Sequence, residues 1–241
     1  MNYFISDLHF GLQDRESERY KETVLVEFLK SVTGKARTLV ILGDLYDYWF
    51  EYKHVYQKGY FRTLTALADL KESGTEIYYI IGNHDFLHRD FFEKEIGAEL
   101  IHEDLVKEIE GKKFFLSHGD SYVANDTGYK ILKKILRNRF LQKIYSMVHP
   151  DIGISIAGKS SRKSRNYTAH KSYGESDSLR ESAQKLIDER GYDFVIFGHS
   201  HRRAFEKYKE SHYINLGSWI EQPCYGKYEN GSFEIINLDQ K

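Results

Sequence analysis

Five short motifs in this 241-residue chain combine histidine with aspartate or asparagine, the side chains that bind divalent metal ions. In chain order they are Asp7-Leu8-His9, Gly43-Asp44, Gly82-Asn83-His84-Asp85, His118-Gly119-Asp120 and Gly198-His199-Ser200-His201. Neutral imidazole nitrogens together with carboxylate and amide oxygens suit borderline-hard divalent ions. Two such ions held side by side can activate a water molecule, so the motifs are typical of a metal-dependent hydrolase.

The spacing within the motifs suggests how the side chains share the ions. Asp7 and His9 are two residues apart, so on an extended segment they project to the same side and can bind one ion together. His199 and His201 repeat that spacing. The carboxylate of Asp44 has two oxygens and can bridge two ions, while the adjacent glycines let the backbone turn tightly.

Each motif taken alone also has a purely structural explanation. Asp7 and Asp44 could be turn or helix N-cap residues. A single histidine at a strand end is more often a structural residue than a ligand, and His-Gly-Asp by itself has little specificity. What favours a metal site is the ordered set of motifs, each placed after a predicted strand.

The segments that precede the motifs are short and apolar, which predicts β-strands. They cover 3–6, 38–42, 76–81, 113–117 and 193–197. Continuous apolar strands are expected in a sheet that is covered on both faces. Helical spacing is found over 18–32, 60–73 and 178–190, and short strands with turn signals follow residue 203. We predict an α/β sandwich whose strand ends gather the motifs in one crevice.

The composition excludes several classes of protein. Hydrophobic residues make up 41% of the chain, with 15 Phe and 19 Tyr, so a disordered protein is excluded. No stretch approaches the ~18 apolar residues that a membrane span needs. The first residues lack the features of a secretory signal, and the lone Cys224 cannot form an internal disulfide. We therefore expect a cytoplasmic protein.

One basic segment interrupts the alternation of strands and helices. Residues 127–175 contain 11 Lys and Arg against 2 Asp and Glu, a local charge of +9 in a chain whose net charge is -1. A helical stretch over 127–148 mixes apolar and basic residues. We predict a helical insertion, or cap, within a single domain that covers 1–241. It could be a solvated basic helix or a cap that attracts an anionic, partly apolar ligand.

The ordered motifs resemble those of the calcineurin-like metallophosphoesterases, and the resemblance extends from Asp7 to His201. Within that superfamily the chain is similar to the UDP-2,3-diacylglucosamine pyrophosphohydrolases of lipid A biosynthesis. The similarity lies in the segments ISDLHFG, GDLYDYWFEY and HGDSYVANDTGYK and in the basic insertion before GHSH. The resemblance implies a four-layered α-β-β-α sandwich that holds two divalent ions, commonly Mn²⁺.

The resemblance also implies a role for each motif residue. One ion would be held by Asp7, His9, Asp44 and His201, and the other by Asp44, Asn83, His118 and His199. His84 would contact the scissile phosphate or the leaving group, which makes Asp44, Asn83 and His84 the candidate catalytic residues. The lipid A enzymes carry Arg at the position of His84; Arg binds phosphate bidentately, whereas His can also donate a proton.

The implied reaction is hydrolysis of UDP-2,3-diacylglucosamine to UMP and 2,3-diacylglucosamine 1-phosphate. Asp126 matches an acidic position that lies near the substrate in the family. Other candidate substrate contacts, chosen by charge and location, are Tyr129, Arg137, Arg139, Arg162, Arg165 and Lys171. A polybasic segment beside an acyl-binding surface also predicts peripheral contact with the cytoplasmic membrane face.

Other functions stay open at this stage. The same metal site could act on a nucleotide, a cyclic nucleotide or a phosphoprotein. Nucleic acid is less favoured as a partner, because the basic segment has only scattered tyrosines for base stacking. A non-catalytic scaffold with this fold would be expected to have lost ligands, whereas all seven candidate ligands are present.

Overall fold

The computed structural model describes residues 1–123, 138–153, 155 and 175–238. Its strands are β1 Asn2–Ile5, β2 Thr38–Ile41, β3 Glu76–Ile80, β4 Glu99–Ile101, β5 Leu105–Ile109, β6 Lys112–Leu116, β7 Phe194–Phe197, β8 Ala204–Tyr208, β9 Ser211–Asn215, β10 Cys224–Glu229 and β11 Ser232–Asn237. Its helices are α1 Arg15–Val32, α2 Phe61–Glu72, α3 Arg139–Tyr145 and α4 Glu175–Arg190, with a π-helical turn at Phe92–Ile96.

The strands form two sheets. A six-stranded sheet has the order β11-β10-β1-β2-β3-β4, in which β1 to β4 are mutually parallel. A five-stranded sheet has the order β5-β6-β7-β9-β8, in which β6, β7 and β9 are parallel. Parallel strands place their carboxyl ends at one edge of each sheet, where the loops that follow them can meet.

Three apolar cores separate four layers. Along β1, Tyr3 and Ile5 belong to the core beneath α1 and α2, whereas Phe4 faces the core between the two sheets. There the Phe4 ring stacks on Phe114 of β6, with ring centroids 6.0 Å apart. A third core lies between the five-stranded sheet and α4, whose Leu179 is fully buried. This α-β-β-α arrangement confirms the predicted fold and explains why the strands are apolar on both faces.

All five strands predicted before the motifs are confirmed, as are the three helices predicted outside the basic segment. Helix α1 begins at Arg15 rather than at residue 18, because Asp14 caps it by accepting hydrogen bonds from the N–H groups of Glu16 and Ser17. Strands β4 and β5 were not predicted: β4 has only three residues, and the alternation in β5 includes Lys107 and Glu108.

Of the helix predicted over 127–148, α3 and the turns after it, up to 148, are described. Residues 124–137, 154, 156–174 and 239–241 lie outside the described residues, so the bounds of the predicted insertion, 127–175, stay a prediction. Among the described residues, no helix is both long and apolar enough to cross a bilayer.

A buried carboxylate anchors the segment that follows the second motif. Glu51 is 4% exposed and accepts hydrogen bonds from Trp49 Nε1 at 2.7 Å and from the N–H groups of three consecutive residues before the π-helical turn. Burial alone would raise the pKa of Glu51, but hydrogen bonds from His88 and Trp49 outweigh it and lower that pKa to about 2. Glu51 therefore ties segment 48–52 to segment 88–92.

The folded-state pKa of Glu51 lies below its ordinary value of 4.5, so its contribution to stability is present above pH 4.5 and is lost as the pH falls through about 2. We expect Glu51→Gln to lower the free energy of unfolding by about 3 kcal/mol at pH 7 and by only about 1 kcal/mol at pH 3. Urea titration measures both values, with Glu108→Gln, an exposed change on β5, as the control. An equal loss at the two pH values would contradict this role.

Candidate metal centre

The seven side chains predicted to bind metal follow the carboxyl ends of five parallel strands. Asp7 and His9 follow β1, Asp44 follows β2, Asn83 follows β3, His118 follows β6, and His199 and His201 follow β7. The two sheets meet here, because His118 Nδ1, after β6, lies 2.8 Å from the carbonyl oxygen of Leu42, after β2. The structure thus brings all seven together in one crevice.

A first group of atoms is formed by Asp7, His9 and His201. His9 Nε2 lies 2.9 Å from His201 Nε2. The Asp7 Oδ1 atom lies 3.5 Å from His201 Nε2 and 3.7 Å from His9 Nε2. Asp7 and His9 are fully buried, whereas the His201 side chain is 35% exposed, so this group of two imidazoles and one carboxylate is open to solvent on the side of His201.

A second group surrounds the amide oxygen of Asn83. This Oδ1 atom lies 2.8 Å from His118 Nε2 and 2.9 Å from His199 Nδ1. Asp44 Oδ2 lies 3.2 Å from His118 Nε2 and 3.8 Å from His9 Nε2, so it stands between the two groups. That is the position a carboxylate shared by two ions must occupy.

The local backbone differs from the extended geometry expected for the paired motifs. Asp7 and His9 have φ values of 53° and 49°, and His199 and His201 have values of 68° and 57°, all in the left-handed region. The expectation of extended segments was therefore wrong, although each pair still converges. Asp44 shares this conformation, with φ of 50°. Such backbone costs about 1–3 kcal/mol per non-glycine residue and clusters at functional sites.

Close packing around the carboxylates explains two of the motif glycines. A Cβ atom on Gly82 would lie 2.1 Å from Asp44 Oδ1, and one on Gly198 would lie 2.5 Å from Asp7 Oδ2. No side chain fits at such distances. Because Gly198 has no side chain, the N–H of the next residue, His199, reaches the Asp7 carboxylate, at 3.2 Å from Oδ1 and 3.1 Å from Oδ2.

The charges in the centre hold both carboxylates ionised. Burial would raise the pKa of Asp7, but hydrogen bonds from His201 and His9 outweigh it and lower that pKa. Burial would likewise raise the pKa of Asp44, yet the charges of His118 and His84 hold it well below its usual range. The centre therefore presents two anionic oxygen donors at neutral pH.

The pKa values of the histidines are shifted in opposite directions by burial and by the neighbouring carboxylates. Burial would lower the pKa of His118, but the negative charge of Asp44 outweighs it and raises that pKa to about 10. Burial lowers the pKa of His199 and of His84 to about 4, so both are neutral at pH 7. Neutral imidazole is the form that binds metal, and at His118 a metal ion and a proton compete for one place.

The donor chemistry fits divalent cations. His118 Nδ1 faces a carbonyl oxygen, which can only accept, so Nδ1 carries the hydrogen and Nε2 supplies the lone pair. Nε2 lies close to two acceptors, Asn83 Oδ1 and Asp44 Oδ2, so the place between these atoms suits a positive group, either the proton of a charged His118 or a divalent cation in its stead. Three sets of donor atoms lie within 4.8 Å of one another: Asp7, His9 and His201; His9, Asp44 and His84; and Asp7, Asp44 and His118.

Two charged residues outside the predicted set hold the ligand loops in place. Asp85 is fully buried and accepts hydrogen bonds from the N–H groups of Leu45 and Gly82, each at 2.9 Å, and from the Tyr79 hydroxyl. It thereby joins the loops that carry Asp44 and Asn83. Asp85 ends the third motif, so the motif itself was the signal that could have identified it.

Lys21 of α1 supports the first ligand loop in a similar way. Its side chain is buried, and its Nζ donates to the carbonyl oxygen of His9 at 3.3 Å and to Gln13 and Glu18. The cation also lies 5.3 Å from the centre of the Phe10 ring. A lysine on a predicted surface helix carries no sequence signal for this contact, because only the packing of α1 buries it.

His84 lies at the edge of the centre, next to Asp47. Its ring packs edge-on against His9, with centroids 5.0 Å apart, and its N–H donates to Asp44 Oδ1 at 2.8 Å. His84 Nδ1 lies 3.3 Å from the Asp47 carbonyl oxygen and 3.5 Å from Asp47 Oδ1, while His9 Nδ1 lies 3.7 Å from that same carboxylate atom. Asp47 was not predicted, although it lies within the segment GDLYDYWFEY.

The predicted substrate contacts cannot be placed in this way. Asp126, Tyr129, Arg137, Arg162, Arg165 and Lys171 lie outside the described residues, and for Arg139 only the backbone is described, as the first residue of α3. These assignments stay predictions.

The clash at Gly82 predicts a specific loss. Gly82→Ala should displace the Asp44 carboxylate, and we expect metal content after dialysis to fall by more than half and hydrolysis of bis-p-nitrophenyl phosphate to fall about 100-fold or more. Gly34→Ala is the control, because nothing lies within 4 Å of its added Cβ. Gly34 has a positive φ of 72° and Gly82 does not, so backbone strain from the alanine is greater in the control than at Gly82. A Gly82→Ala protein with full metal content and full rate would contradict the importance of this close approach.

Comparison with known proteins places this geometry in a family. A family model described as calcineurin-like phosphoesterase matches residues 3–203. The UDP-2,3-diacylglucosamine hydrolase of Porphyromonas gingivalis is 28% identical over 98% of this chain and 97% of that protein. Proteins of the same name are 30% identical in Haemophilus influenzae, over 90% of each chain, and 30% identical in Proteus mirabilis, over 98% of each chain.

The family match includes β1 to β3, β6 and β7 and every residue of the two donor groups. The chain belongs to the calcineurin-like phosphoesterase family of metal-dependent hydrolases.

Proposed function

We propose that this enzyme hydrolyses the diphosphate of UDP-2,3-diacylglucosamine to UMP and 2,3-diacylglucosamine 1-phosphate, with two Mn²⁺ ions. The observation that carries the proposal is the position of the Asp44 carboxylate between two groups of imidazole nitrogens, 3.2 Å from His118 and 3.8 Å from His9. Relatives that carry the name of this activity match nearly the whole chain, which supports the choice of substrate.

The residues present would hold the two ions in the predicted sets. These are Asp7, His9, Asp44 and His201 for one ion, and Asp44, Asn83, His118 and His199 for the other. When bound, the ions lower the pKa of a water molecule and screen the negative charge of the diphosphate. Imidazole and carboxylate donors together also suit Mn²⁺.

The residue best placed to act directly on the substrate is His84. Its Nδ1 faces two oxygen acceptors of Asp47, so Nδ1 carries the hydrogen and Nε2 is unprotonated while the ring is neutral. An arriving diphosphate raises the pKa of a neighbouring imidazole and favours its protonation. Protonated His84 then donates to a phosphoryl oxygen, or to the phosphate oxygen that leaves with the lipid, and this places it in the role that Arg has in the lipid A enzymes.

Helix α3 offers an apolar surface for the acyl chains. On α3, Phe140 is 69% and Ile144 48% exposed, and Met147, just after the end of the helix, is 82% exposed. A segment that only faces water seldom carries so many apolar side chains close together. On its inner side Tyr145 packs edge-on against Phe50, with centroids 5.0 Å apart. This surface belongs to the segment of charge +9, so it can lie against an anionic membrane face that supplies the lipid substrate.

The decisive experiment is a comparison of substrates. The protein loaded with Mn²⁺ is incubated with UDP-2,3-diacylglucosamine, UDP-glucose, 2′,3′-cyclic AMP and a phosphopeptide, and the products are identified by mass spectrometry. We expect UMP and 2,3-diacylglucosamine 1-phosphate to form from the acylated substrate at least 100 times faster than any product forms from the other substrates. Faster turnover of a substrate without acyl chains would overturn the assignment.

Asp44→Asn tests the shared carboxylate. We expect kcat to fall at least 1,000-fold, about 4 kcal/mol of transition-state stabilisation, because the neutral amide cannot hold two cations close together. The change is isosteric and its oxygen can still accept the N–H of His84, so circular dichroism should be unchanged. Asp69→Asn on α2 is the control for loss of a carboxylate elsewhere. Full activity of Asp44→Asn would contradict the shared role.

The surface of α3 can be tested by removing its apolar side chains. The double variant Phe140→Ser, Ile144→Ser should lower kcat/KM for UDP-2,3-diacylglucosamine, relative to that for UDP-glucosamine, by about 30-fold. Full burial of one such side chain contributes about 1.5–3 kcal/mol, and covering the exposed parts of both contributes about 2 kcal/mol. Phe205→Ser, which removes a 48% exposed phenylalanine from β8, is the matched control. An unchanged ratio would show that the acyl chains bind elsewhere.

A further inference from the structure

A cavity of about 230 Å³ opens beside the metal centre. Its walls include Ile80 and Ile81 at the end of β3 and Ser117 and His118 after β6, all of them buried. The cavity therefore begins at a predicted metal ligand and runs between the ends of the two sheets. Binding of the two metal ions by the predicted ligands does not need this cavity.

The polar groups of the cavity have capacity for a ligand. Ser117 is 4% exposed; its Oγ accepts the N–H of Gly119 at 3.2 Å, and its hydroxyl hydrogen donates to none of the described groups. At the mouth, Glu103 is exposed, and Asp104 accepts the Tyr122 hydroxyl on Oδ2 at 2.5 Å, which leaves Oδ1 for another donor. A buried hydroxyl donor inside and carboxylate acceptors at the rim suit a ligand with a carbonyl at one end and hydroxyl groups at the other.

The cavity and α3 contact different ends of the metal centre. Segment 48–52, which contacts α3 through Phe50, directly follows Asp47, and Asp47 faces His9 and His84. The cavity instead adjoins His118, whose neighbours are Asn83 and Asp44. A substrate stretched over both ions therefore meets an apolar surface at one end and a polar cavity at the other.

We infer that this cavity binds the uridine of the substrate, so that the nucleoside lies at the His118 end and the acylated sugar at the His84 end. The inference deepens the proposed function and rests on it. The sugar carries the acyl chains and must follow them toward α3, which leaves the nucleoside for the other end. The volume is below the roughly 300–1,000 Å³ of pockets for whole drug-sized ligands, as expected for a site that takes one part of a larger molecule.

The lining matches a nucleoside better than the other parts of the substrate. The carboxylates of Glu103 and Asp104 accept hydrogen bonds from vicinal ribose hydroxyls, the contact by which acidic residues recognise ribose in nucleotide-binding proteins. The Ser117 hydroxyl can donate to a carbonyl oxygen of the base. An acyl chain would offer these groups no further hydrogen bond, and a second phosphate would be repelled by the carboxylates of the lining, which are Glu103, Asp104 and Asp120.

The test measures how UMP inhibits hydrolysis of bis-p-nitrophenyl phosphate by the Mn²⁺-loaded enzyme, in wild type, Glu103→Ala and Ser117→Ala. Inorganic phosphate and glucosamine 1-phosphate serve as inhibitors without a nucleoside. Glu108→Ala, an exposed glutamate on β5 outside the cavity, is the matched control. Calorimetric titration with UMP gives the same affinities directly if a variant turns over slowly.

We expect the inhibition constant of UMP to rise about tenfold in Glu103→Ala and in Ser117→Ala, as for the loss of one hydrogen bond worth about 1.4 kcal/mol. That of inorganic phosphate should stay within twofold in all variants, and Glu108→Ala should behave as wild type. Equal UMP affinity in wild type and Glu103→Ala, or UMP binding no tighter than glucosamine 1-phosphate, would overturn the inference. If UMP binding depends on Glu103 but the acylated substrate is not hydrolysed, the cavity is confirmed as the nucleoside site and the proposed lipid substrate is rejected.

Discussion

The structure depends on keeping two carboxylates ionised in the interior of the protein. Asp7 and Asp44 are at most 1% exposed, and a buried charge without compensation costs several kcal/mol. The surrounding imidazoles compensate part of this charge, and the raised pKa of His118 is the counterpart of the lowered pKa of Asp44. His118 Nε2 lies 2.8 Å from Asn83 Oδ1 and 3.2 Å from Asp44 Oδ2, so a bound divalent cation would take the place of the proton that His118 otherwise holds between these oxygens.

The rest of the fold serves to hold those donors at fixed distances. Five ligands have backbone in the left-handed region, a conformation that the chain keeps only where surrounding contacts enforce it. Gly82 and Gly198 provide the space, Asp85 joins two ligand loops, and Lys21 holds the carbonyl oxygen of His9. Four packed layers below supply the rigidity, since each strand that leads into a ligand loop is buried on both faces.

The surroundings of the centre are asymmetric, and this asymmetry bears on the substrate. On the side of His9 and His84, segment 48–52 connects the centre with the apolar residues of α3, and Glu51 anchors that segment to the body. On the side of His118 lies a polar cavity with acidic groups at its mouth. A molecule that is apolar at one end, anionic in the middle and rich in hydroxyl groups at the other end matches this order of surfaces.

Much of the fold and the set of candidate ligands could be predicted from the sequence, because apolar runs and their periodicity identify strands and helices locally, and the motifs mark the loops after the strands. The backbone geometry that makes the ligands converge could not be predicted. Asp7 and His9 were expected on extended backbone, yet they lie in left-handed turns that only the neighbouring loops enforce. The roles of Lys21 and Glu51 were also not predictable, because a charged residue reveals a buried contact only once its helix or segment is packed. Residue types and order determined which chemistry is available. Tertiary structure decided which atoms face one another, because those distances depend on contacts between residues far apart in the chain, such as His9 and His201, which are 192 positions apart.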